Sequence, residues 1–154
     1  MFNSPGKTGG LSFCFIAAGA LIGFFNAMLD TSIEDAAEHY QLNDLELHYT
    51  ERCATAMKEN QARFRNGTSR GMGCGCMARN LTVANNMRSR ADARFTAELT
   101  AALMPGAGQS REEFIAAVYP KLPVIGEKHD RTPEAMLEFS KSISAALQSC
   151  SQQS

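Results

Sequence analysis

Four cysteines constrain this chain more than any other feature. Cys74 and Cys76 stand two residues apart in Gly71-Met72-Gly73-Cys74-Gly75-Cys76-Met77, with Cys53 before them and Cys150 near the end. In an oxidising compartment, an even number of cysteines in a small domain reads as a disulfide framework, here with three pairings open. A bond between Cys74 and Cys76 would close a small strained ring. The expectation is that one of them joins Cys53 and the other joins Cys150. Closing the 21-residue separation from Cys53 to Cys74 is worth about 3 kcal/mol in the chain-entropy account. With four glycines between 66 and 75, the stretch reads as a loop.

The compartment is read from residues 11–29, LSFCFIAAGALIGFFNAML, which carry no charge. As a helix this run would be roughly 28 Å long, close to the hydrocarbon thickness of a bilayer. Lys7 precedes it, and Asp30, Glu34, Asp35 and Glu38 follow. The positive-inside bias then predicts a cytoplasmic tail over 1–10, a single-pass anchor over 11–29, and a periplasmic or extracellular domain over 30–154. A cleaved leader is the competing reading, but a cut after Ala27 would put the bulky Phe25 at the −3 position. Gly19 and Gly23 form a GxxxG pattern that would let a second membrane helix approach closely. Cys14 lies in the apolar run and reads as a packing residue.

Beyond the anchor the periodicity is helical. Ile33, Ala36, Ala37, Tyr40, Tyr49, Cys53, Ala56 and Met57 recur near 3.6 residues over 30–65. Thr31 with Glu34, and Asn43 with Glu46, have capping-box spacing, the second pair at a predicted break. That helix is expected to run to Asn66-Gly67. A second is expected over 77–104, bending near Asn85-Asn86, with Met77, Leu81, Ala84, Met87, Ala91, Phe95, Leu99 and Leu103 as its stripe. Pro105 ends it. Ser110 and Glu113 open a short helix, residues 119–123 read as a connector, and Thr132-Pro133 starts a last helix. No alternating strands are found, so the fold class is all-α: one transmembrane helix followed by a small disulfide-stapled bundle.

Net charge of −1 gives no footprint for nucleic acid. The charge is uneven, however. Residues 30–62 carry eight acids against Arg52 and Lys58, whereas Arg63, Arg65, Arg70, Arg79, Arg88, Arg90 and Arg94 crowd the next thirty or so positions. This is either a face for an anionic partner or two neighbouring helices of opposite charge.

Two chemistries compete with structural disulfides. Met72, Cys74, Cys76 and Met77 are soft ligands of the kind that suit Cu(I). A CxC pair could also act as an oxidising dithiol, although the CxxC on a strand-helix unit is missing. His39, His48 and His129 are too scattered to serve as ligands, and the paired CxxC spacing of zinc sites is absent. No nucleophile elbow, HExxH, haem-attachment or dinucleotide fingerprint occurs, so no enzymatic activity and no cofactor is expected.

The layout of Cys53, Gly-Cys-Gly-Cys at 73–76, Met77-Ala-Arg-Asn-Leu, Ala97-Glu-Leu-Thr and Cys150 resembles small exported or membrane-anchored helical proteins of proteobacteria. The likeness covers about residues 50–105 and the last cysteine; the long anchor departs from it. It implies an export route and a helical domain, and no activity. The expected function is a membrane-anchored binding or accessory module, a subunit or assembly factor working with a membrane-protein partner or a second copy of itself.

Overall fold

A computed structural model describes residues 32–106 and 108–152. The expected tail and anchor, with Gly19, Gly23 and the Thr31 cap, lie outside the described residues. Among the described residues, no helix is long and apolar enough to cross a membrane.

The described chain is all helix. The described part of α1 covers 32–40, and it is followed by α2 (Asp44–Glu59), α3 (Arg70–Val83), α4 (Arg90–Leu103), α5 (Arg111–Val118), α6 (Lys121–Lys128) and α7 (Pro133–Ser151). Among these residues the sole extended pairing is one antiparallel bridge between Ala62 and Gly106. The capping chemistry read from sequence sets three of the six described starts. Asn43 and Glu46 form a reciprocal box at α2, as do Ser110 and Glu113 at α5, and the Thr132 hydroxyl accepts from Ala135 N with Pro133 in the first turn of α7.

Four boundaries depart from the sequence reading. The expected loop at 66–75 is mostly helix, because α3 begins at Arg70 under a Ser69 cap. The expected helix over 77–104 is two helices, α3 and α4, divided at Asn85 rather than bent there. Residues 121–123, expected as a connector, open α6; Pro123 fits because a helix's first-turn N–H groups have no intrahelical partner. α2 also stops at Glu59, short of the expected Asn66-Gly67.

The early stops share one device. After α1, α2, α3 and α6 the chain enters the left-handed region at Gln41, Gln61, Asn85 and Asp130, with φ between 50° and 61°. In each, the next residue's N–H reaches back five positions, as in Leu42 N to Ala37 O and Ala62 N to Met57 O. These are Schellman closures made without glycine.

The core is built on α2, which packs against both α3 and α4, while α7 packs against α3 and α4. Tyr49, Cys53 and Met57 from α2 meet Met77 and Leu81 from α3, Phe95 and Leu99 from α4, and Ile143 from α7, all fully buried. Ala84 and Ala91 of the predicted stripe are exposed, since the break between α3 and α4 resets the phase. Tyr49 is satisfied in this core. The Thr100 hydroxyl donates to Thr96 O at 2.7 Å, so the Tyr49 phenol donates to Thr100 Oγ1 at 2.8 Å. Burial holds that phenol well above its ordinary pKa.

Polar ties lock α4 to the α6–α7 turn. Glu98 accepts from Lys128 and bonds His129 Nε2 at 2.8 Å, and Arg131 donates to Asp92 at 2.8 Å while lying over the Phe95 ring. Burial alone would raise both carboxyl pKa values, but bonds from His129 and Lys128 hold Glu98 below its ordinary value. Those from Arg131, Ser89 and the Arg88 N–H do the same for Asp92.

Candidate functional site

The cysteines come first, because they organise α3. Cys53 is bonded to Cys74 and Cys76 to Cys150, each pair with 5.9 Å between Cα atoms. The two sulfurs of Cys-Gly-Cys therefore go to different helices, and they do so from inside a helix. Successive helical residues turn by about 100°, so two positions separated by one residue point nearly opposite ways. Cys74 reaches α2 on one side; Cys76 reaches α7 on the other.

The glycines complete this arrangement as close-packing positions inside a helix, not as loop residues. A Cβ on Gly71 would strike the Ser32 carbonyl of α1, and one on Gly73 would strike the Phe64 ring, both well under 3.0 Å. Gly75 faces Ala36 and Tyr40 more loosely. Gly71 and Gly75 are thus a small-xxx-small pair that seats α1, the spacing recognised at Gly19 and Gly23 but overlooked here.

Met72, Cys74, Cys76 and Met77, the candidate Cu(I) ligands, are not brought together. Cys74 and Cys76 leave α3 on different sides, each bonded to another cysteine. Met77 is fully buried in the core and Met72 is half-buried. The thioether that does meet a sulfur pair is Met57, 3.6 Å from Cys74 Sγ and 4.0 Å from Cys53 Sγ. Among the described residues, no three His, Cys, Asp or Glu side chains cluster as metal ligands.

The two disulfides differ in surroundings. Cys53 and Cys74 are wholly buried. Cys150 is half-buried and lines a 260 Å³ groove with Phe64, Arg65, Leu103 and Leu147. The Asn80 amide sits over this second bond, with Nδ2 at 3.5 Å from Cys76 Sγ and 3.4 Å from Cys150 Sγ.

A larger cleft of 590 Å³ opens where the end of α2, the end of α4 and the start of α6 converge. The Schellman closure at Gln61 turns the chain, and the Ala62–Gly106 bridge then holds residues 60–63 against Met104, Gly106 and Gln109. Buried Ala101, Ala102, Met104 and Val118 form its floor, and Arg63, Arg70 and Lys121 stand around it with one carboxylate, Glu113. Arg70 is oriented by its Nε, which donates to Ala62 O at 3.0 Å, and Lys121 donates to Asn60 Oδ1 at 3.1 Å. Arg65 and Arg111 line an adjoining hollow with Phe114 and the exposed Ile115.

Of the seven clustered arginines, only Arg79 pairs with the acidic block among the described residues, bonding the buried Glu46 at 3.2 Å. Arg63, Arg65 and Arg70 form no ion pair among the described residues. The sequence showed the excess of arginine but not its concave setting, because Lys121 lay in what read as a connector.

Compared with known proteins, the chain matches no family model, no curated protein and no solved structure.

Proposed function

We propose that the chain is a membrane-anchored helical binding or accessory module. Its extracytoplasmic domain would present a fixed surface to a membrane-protein partner or to a second copy of the chain. The observation that carries this reading is the double junction on α3, where two disulfides and two close-packed glycines immobilise α1, α2 and α7 around one helix. Such bonds persist in oxidising compartments, and together with the charge-free run at 11–29 they favour export with retention. A covalently fixed scaffold suits recognition, where preorganisation lowers the entropy of binding.

Purification of the chain in mild detergent without reductant, followed by crosslinking, tests the proposal. The expected result is four unreactive cysteines in the domain and a stoichiometric complex with a partner or with itself. Two reactive thiols that load Cu(I), a mature mass starting near Asp30, or a purely monomeric chain would overturn it.

A second reading, thiol exchange, is favoured by the groove at Cys150. An incoming thiolate would bond the Cys150 sulfur and release Cys76 as a thiolate beside the Asn80 amide. In a Cys76→Ser variant, attack of the Cys150 thiolate on a client disulfide, leaving a mixed disulfide at Cys150 and releasing the client's other sulfur as a thiolate, would support it.

A further inference from the structure

The 590 Å³ cleft has features that the scaffold reading does not use. Its volume lies in the range of small-ligand sites, and its floor is apolar while its rim is cationic. Two of its cations are held in place by neutral groups, Arg70 by the Ala62 carbonyl and Lys121 by the Asn60 amide oxygen. With Nε fixed, the plane of the Arg70 guanidinium is set, and its terminal amines keep the fork geometry that matches a phosphate or carboxylate. Arg63 is exposed and has no hydrogen-bond or ion-pair partner among the described residues. The one opposing charge, Glu113, is engaged at Oε2 by the Ser110 N–H at 2.8 Å.

We propose that this cleft binds an anionic amphiphile, whose phosphate or carboxylate lies between Arg63, Arg70 and Lys121 while its aliphatic part covers the half-buried Phe114 and Ala117. A bare inorganic anion would leave the Phe114 and Ala117 wall uncovered, and a neutral amphiphile would leave the cations unused. The inference stands whether or not the domain also docks on a membrane partner. The anion can come from a soluble metabolite or from a lipid headgroup, which present the same chemistry.

The chain contains no tryptophan, so Phe114→Trp at the cleft wall supplies a single indole reporter in the oxidised full-length protein, reconstituted in phosphatidylcholine vesicles. Octyl phosphate is expected to change its emission saturably, with inorganic phosphate and octyl glucoside each binding at least about tenfold more weakly. The double variant Arg63→Gln/Lys121→Gln, at two exposed side chains, should weaken octyl phosphate by about tenfold or more. Glu113→Gln should tighten it by about threefold, since glutamine keeps the capping box but removes the opposing charge. A response to vesicles containing phosphatidylglycerol assigns the anion to a bilayer, and a response to soluble octyl phosphate alone assigns it to a free ligand. No response to any probe, equal binding of octyl glucoside, equal binding of inorganic phosphate, or unchanged affinity in the double variant would overturn the proposal. A ligand-induced rise in Tm of the protein without the reporter, lost in the double variant, checks that the indole does not create the site.

Discussion

Gly71→Ala isolates the close packing of α1 on α3. In an exposed helix interior, replacing glycine by alanine stabilises by about 1 kcal/mol, because glycine has more backbone freedom to lose. At Gly71 the added methyl meets the backbone carbonyl of Ser32, which no rotamer change can move aside. α1 must retreat by roughly 1 Å, and a gap of that size forfeits about a quarter to a half of the dispersion energy across the contact. Ala36 is fully buried, and Ile33, Ala37 and Tyr40 are half-buried, so a retreat opens the face they occupy. Overpacking of this kind costs about 1–3 kcal/mol, leaving a net loss of about 1 kcal/mol after the helical gain. Gly73→Ala should lose more, since it displaces the Phe64 ring from the core. At Gly75 the new methyl would lie 2.9 Å from Ala36 Cβ and 3.0 Å from Tyr40 Cδ2. Ala36 Cβ moves only with the α1 backbone, so Gly75→Ala should also destabilise, though by less than Gly71→Ala. Equilibrium urea denaturation of the oxidised variants, followed by circular dichroism, gives the ranking. If Gly71→Ala proves about 1 kcal/mol more stable than the parent, α1 is not seated on α3 and the reasoning fails.

Other outcomes follow from the same structure. Graded reductant with alkylation and mass spectrometry should open Cys76–Cys150, which borders a groove, before the buried Cys53–Cys74 bond, and the reverse order would refute the accessibility argument. Loss of the Cys76–Cys150 bond in a double serine variant should lower stability by about 4 kcal/mol from the 74-residue separation it spans, measurable as a shift in denaturation midpoint. Gln61→Gly, at φ of 54°, should stabilise by about 0.5–1 kcal/mol by removing left-handed strain; no gain would mean Gln61 is otherwise compensated. Asp92 and Glu98 both titrate below their ordinary values of 3.8 and 4.5 in the fold. Their contribution is therefore present above those values and lost as pH falls through the folded ones. Stability should drop below about pH 4.5, and Asp92→Asn should flatten the drop.

What could be read in the sequence was the chemistry of helix starts. Asn43, Ser110 and Thr132 cap where their side chains predict, because capping is local. Ends were less legible: a left-handed Gln61 looks like any helical glutamine, and only the geometry of the following turn distinguishes it. The glycine-rich stretch misled for a related reason. Glycine weakens a helix in isolation, but α3 is fixed by two disulfides and by neighbours that need its bare backbone, so tertiary packing outweighs propensity. The cleft was illegible as a site, since Arg63, Met104 and Lys121 meet only through the fold.

The placement of the two disulfides also decides how the domain answers a pull along the chain. Tension applied at residues 32 and 152 would run from Cys53 across to Cys74, through Gly75, and from Cys76 across to Cys150. Residues 54–73 and 77–149 lie outside that path and bear no load while both bonds hold. The domain could then lengthen to only roughly a quarter of its full contour. Main chain crosses between the two bonds at Gly75 alone, which makes the two peptide bonds flanking that glycine the link that joins two shielded loops.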